Sequence, residues 1–130
     1  MQGIRLVRRG LLLPLALTVL GFTAARASAQ TPVYSPVEMP DTREINDVLT
    51  EADIPTGFGG FARDYTVYLE DGDQVAIDVI SEEFDTLVTL INKDGNTIGE
   101  NDDGPDGTTN SLLFARITES GMYTVRVRSY

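Results

Sequence analysis

The 130-residue chain contains no cysteine, no histidine and no tryptophan. Without the first two, Cys-His and Ser-His-Asp nucleophilic catalysis are unavailable within this polypeptide, as are zinc sites built from thiolate and imidazole. No serine stands in a G-x-S-x-G context. Lack of tryptophan removes the usual stacking platform for sugar rings. A carboxylate-pair glycosidase needs a cleft that shields one acid and raises its pKa. A chain with room for one small core offers little for such a cleft, so the composition argues against an enzyme. With no disulfide available, the domain must hold by core packing, aided by a bound ion if one is present.

Long apolar runs are also scarce, and the longest lies near the N-terminus. MQGIRLVRRGLLLPLALTVLGFTAARASAQ has Arg5, Arg8 and Arg9, then an apolar run from Leu11 to Phe22, then Ala27-Ser28-Ala29. These are the parts of an export signal, read here as residues 1–29 and cleaved after Ala29. The run falls short of the roughly 20 residues that span a bilayer, so no membrane span is expected after cleavage. Export places the chain in the periplasm or outside the cell. The segment carries four arginines and no acid, so six basic residues then face twenty acidic ones. That surface repels nucleic acid and anionic lipid, and attracts cations and basic partners.

Residues 30–43, with three prolines and no period, read as an extended linker, and residues 44–130 as one domain. EINDVLTEAD fits a short helix or an edge strand equally well. PTGFGGFARD is a glycine-rich loop with neither a dinucleotide fingerprint nor a phosphate loop, and reads as a flexible turn. Beyond it the period is two. Tyr65, Val67 and Leu69 form one inward set, Val75, Ile77 and Val79 a second, and Tyr123, Val125 and Val127 a third, with Arg126 and Arg128 facing water. Glu70–Asp73 reads as a hairpin loop, as does Lys93–Asn96, each with glycine where positive φ is needed. Short strands at regular spacing, with no long helix and no repeat, predict an all-β fold, a small antiparallel β-sandwich of jelly-roll or immunoglobulin-like type.

GENDDGPDG, residues 99–107, is an oxygen-only cluster of the kind that suits hard cations, above all calcium. It fails the EF-hand template: counted from Asp102, the third position is Gly104 and the twelfth is Leu113. The same residues make ordinary turns without an ion. Asp85, directly before an apolar strand, reads either as a ligand from a neighbouring loop or as a cap for the turn's N–H groups.

Taken in order, DVLTEAD, DYTVYLEDGDQVAIDVIS, FDTLVTLINKDGNTIGENDD and SGMYTVRVRSY resemble the bacterial pre-peptidase C-terminal domain, over most of residues 45–130. The resemblance implies a β-sandwich with an accessory, noncatalytic role, of the type appended to secreted peptidases. In some relatives that role includes binding calcium or insoluble protein or polysaccharide. The implied partners are a secreted peptidase or an extracellular polymer. Positions matching the family's acidic motif are Asp85, Asn101, Asp102 and Asp103, and Asp64 matches the acid before the first long strand; Asp106 falls in a variable loop. Relatives continue past the segment matching VRVRSY into one more strand. The resemblance therefore implies either a fragment or a structural module whose open sheet edge a partner strand completes. Oligomeric state is not legible in these residues.

Overall fold

The computed structural model describes residues 2–8, 34–104 and 107–129. Among the described residues, ten strands make two packed sheets: β1 (Gln2–Arg8), β2 (Val37–Glu38), β3 (Glu44–Asp47), β4 (Ile54–Pro55), β5 (Phe61–Leu69), β6 (Gln74–Ser81), β7 (Thr86–Ile91), β8 (Thr97–Asn101), β9 (Ser111–Arg116) and β10 (Gly121–Ser129). One sheet runs β3-β1-β6-β9 and the other β2-β5-β10-β7-β8, with β4 also on β5. Every pairing is antiparallel except β2 on β5. The expected all-β sandwich is the fold observed.

Period-two alternation builds the core. Tyr65, Leu69, Val75, Ile77, Val79, Tyr123, Val125 and Val127 are buried between the sheets, and Val67 packs against them half-buried. Each fully buried side chain of this size contributes about 1.5–3 kcal/mol relative to exposure, before ordering entropy is subtracted. β7 departs from alternation, because Leu87 and Thr89 on its outer face are buried as well as Val88 and Leu90 on its inner one. EINDVLTEAD begins as strand β3. Within the stretch expected to be a linker, Val37 and Glu38 pair with β5 and Met39 is buried in the core. Of the segment expected to be an export leader, residues 2–8 form β1, with Ile4 and Leu6 in the core; its apolar run and cleavage site lie outside the described residues.

One expected hairpin is corrected. Glu70–Asp73 does not join paired strands, because β5 and β6 lie in different sheets. Gly72 does adopt φ 90°. The loop, however, is a corner, tied to the opposite corner after β9 by Gly72 N–H to Ile117 O at 2.7 Å and Ile117 N–H to Asp73 O at 2.8 Å. An alternating strand has one inward face whichever sheet it joins, so periodicity alone does not distinguish hairpin from corner. The Lys93–Asn96 turn between β7 and β8 is a true hairpin, with Gly95 at φ 84°.

Candidate functional site

The acidic segment leaves β8 at Asn101, whose partner across the ladder is Val88. Asp85, shortly before Val88, and Asp102 and Asp103, just after Asn101, therefore share one end of the β7–β8 pair. Asn101 is a clip for the loop. Its Nδ2 donates to Asp103 O and Leu112 O, both at 2.8 Å, and its Oδ1 accepts from Asp103 N–H at 3.2 Å. A buried hydroxyl pair fastens the loop's return, with Thr86 Oγ1 and Ser111 Oγ 2.6 Å apart. Ser111 Oγ also donates to Thr86 O, and Thr86 N–H to Thr109 O. The turn before β7 is capped by Ser81 Oγ, which accepts from the N–H groups of Glu83 and Phe84. Ser81 thus fills the capping role considered for Asp85, which is exposed.

Alanine at Asn101 is expected to cost about 1–2 kcal/mol in urea denaturation, since one carboxamide holds three backbone groups. Aspartate there should cost nearly as much, because it keeps Oδ1 and loses both N–H donors. A stabilising Asn101→Asp change measured in calcium would assign the residue to a cation instead.

Asp64 stands elsewhere. It lies on the outer face of β5, two strands away from β7, and its carboxylate is 1% exposed. Arg126 on β10 reaches across to it in a two-pronged ion pair, Nε to Oδ1 at 2.8 Å and Nη2 to Oδ2 at 2.9 Å. Tyr34 O–H donates to Oδ2 at 2.6 Å. Burial, then the bond to Asp64, pushes the Tyr34 hydroxyl above its ordinary range; the same carboxylate raises Arg126. In register beyond Arg126 are Thr89 and Glu100, joined by Thr89 Oγ1 to Glu100 Oε2 at 2.7 Å. Arg126 is therefore not simply a solvated arginine. With both oxygens engaged, Asp64 does not fit a cation site, and the five expected ligands do not form one cage. Among the described residues no three acidic side chains converge on a common point. An ion at the loop end would need the exposed Asp85 and Asp103 to turn toward Asp102. Asp106 lies outside the described residues.

At the glycine-rich loop, sequence reasoning missed two features. The first is an ion centre at the edge of the core. Arg63 holds Asp53 through Nε at 2.7 Å and Nη2 at 2.8 Å, and Asp47 through Nη1, while Tyr65 O–H donates to Asp47 at 3.1 Å. The second is an aromatic ridge. Phe58, between Gly57 at φ 84° and Gly59 at φ 87°, is 94% exposed. Beside it runs a cleft of about 220 Å³ lined by residues that include Val48, Leu49, Phe61 and Phe84. A second cleft of about 360 Å³ lies against Phe58 itself. Gly60 permits this architecture, because a Cβ there would lie 2.2 Å from Ser129 Oγ, the atom that accepts the Phe61 N–H. The signal in the sequence was the pair of phenylalanines interleaved with glycines in PTGFGGF, too apolar for a merely flexible turn.

A family model described as bacterial pre-peptidase C-terminal domain matches residues 62–129, from β5 through β10. No curated protein and no solved structure matches the chain.

Proposed function

Because the chain belongs to the bacterial pre-peptidase C-terminal domain family, we propose that it is an exported, noncatalytic accessory module that holds an extracellular polymer for a secreted peptidase. The family is a noncatalytic one, appended to secreted peptidases. The observation that carries the reading is Phe58, 94% exposed on a glycine-flanked loop beside two clefts, one of them lined in part by Val48, Leu49, Phe61 and Phe84. An aromatic side chain held out in water beside open clefts offers an anchor that a partner surface can bury. Fibrous protein is the favoured polymer, since the composition lacks the tryptophan usual in sugar platforms.

The full chain is expected to co-sediment with insoluble collagen. Phe58→Ser should reduce the retained fraction about five- to thirtyfold, the loss of one aromatic anchor, with an unchanged melting midpoint. Equal retention of variant and wild type would remove Phe58 from the reading. Peptide hydrolysis by the purified chain, abolished by replacing one acid, would overturn it entirely.

Calcium enters this reading only at the loop end, through Asp85, Asp102 and Asp103. Calcium at 100 times its Kd would stabilise the fold by about 2.7 kcal/mol, several degrees or more in a domain of this size. The expected rise is calcium-specific and removed by Asp102→Ala. No rise above that in magnesium would leave the acids as a solvated loop.

A further inference from the structure

Residues 2–8 carry two incompatible assignments: the start of an export leader, and a strand inside a sheet. β1 lies between β3 and β6, antiparallel to both, in register with Asn46, Ile45 and Glu44 on one side and with β6 from Ser81 to Val75 on the other. Ile4 and Leu6 are 2% exposed in the core, while Arg5 points outward between them. Arg5 is in register with Glu44 on one neighbour and Asp78 on the other, and its Nε lies 3.4 Å from Glu44 Oε1. The slot thus holds an apolar, basic, apolar triplet in extended conformation.

Both walls have anchors other than β1. β6 is paired with β9 along its far side. β3 has β1 as its strand partner, yet Asp47 at its end is held to the opposite sheet by Arg63 and Tyr65. Cleavage after Ala29 would take β1 away, expose two strand edges and open the apolar floor between them. Exposed edges with unpaired N–H and C=O groups accept a further strand, and alternate pockets give that acceptance its selectivity.

We propose that the gap between β3 and β6 is a strand-acceptor slot, filled by residues 2–8 in the full chain and, after leader removal, by an extended apolar-basic-apolar segment of another protein. The proposal rests on the export reading for its timing, and on the register, burial and flanking acids for its chemistry.

The test begins with the folded full chain carrying a specific protease site at residues 29–30. After cutting and separation of residues 1–29, a fluorescent peptide of residues 1–9 is added and anisotropy is followed. Uptake of this peptide is expected, with the Arg5→Glu version about three- to tenfold weaker from like charges across the ladder. An Ile4→Asp, Leu6→Asp version should bind more than about a hundredfold more weakly, because two carboxylates would enter the core. If the cut chain unfolds when its fragment is removed, refolding by the wild-type peptide and not by the double-aspartate peptide supports the slot. No uptake by a folded cut chain, no refolding with the wild-type peptide, or equal binding of wild-type and double-aspartate peptides would overturn it. N-terminal sequencing of exported protein separates the two readings: retention of residues 2–8 would defeat the export step, whatever the peptides show.

Discussion

Arg63→Ala is expected to destabilise the full chain by about 3–4 kcal/mol in urea denaturation, a large share of what a domain of this size commonly holds. The reason is what remains after the guanidinium is gone. Asp53 and Asp47 have side chains only 10% and 27% exposed, and both would be left without their cation. Tyr65 O–H would still serve Asp47, but among the described residues no second basic group pairs with either carboxylate. Lysine should recover only part of the loss, since a single ammonium does not match the fork that grips Asp53 through two nitrogens. A cost below about 1 kcal/mol would mean that the centre behaves as an ordinary surface bridge.

The pH dependence has a definite sign. Burial is the largest single influence on Asp47 and would raise its pKa, yet the Arg63 hydrogen bond, the Val48 N–H and the Arg63 charge together outweigh it. The net shift is downward from 3.8. A carboxyl depressed in the folded state contributes stability that is complete above the unfolded value and is lost as pH falls through the folded one. The gap between wild type and Arg63→Ala should therefore narrow as pH drops from about 5 toward about 2. A gap that stays constant over that window would remove Asp47 from the account.

The second large effect belongs to the Asp64–Arg126 pair. Arg126→Ala is expected to cost about 3 kcal/mol, because it strands a carboxylate that is 1% exposed. The low end of the range for buried pairs applies, since the Arg126 side chain is 40% exposed and water already screens its head. Replacing both residues with apolar side chains of similar volume, Asp64→Leu with Arg126→Met, should restore most of the loss, as no charge is then left buried. The double-mutant cycle should return a coupling near 2 kcal/mol. A coupling below about 0.5 kcal/mol would show that Asp64 is served as well by Tyr34 alone. It would also reopen the carboxylate to other partners, a cation included.

These two centres show where sequence reading stops. Asp64 and Arg126 lie 62 positions apart, and only the β5–β10 register sets them opposite one another. Local sequence presents the first as an acid before a strand and the second as an arginine on a wet face. Asn101 is similar: its residue type suits a cation or a turn, and its amide bond to Leu112 O, eleven residues on, is seen only in the folded chain.

Alternation, by contrast, is a local property, and it was enough to mark β5, β6 and β10 with their buried sets and to place Gly72 and Gly95 at positive φ. Composition alone removed thiol and imidazole chemistry. What alternation does not encode is which sheet a strand joins, because inward faces look the same from either side of a sandwich. The corner at Glu70–Asp73, the ion pairs across β5, and the seat of residues 2–8 between β3 and β6 all depend on contacts between distant segments. Those contacts come from closing two twisted sheets over one core, so they exist only once the chain has folded.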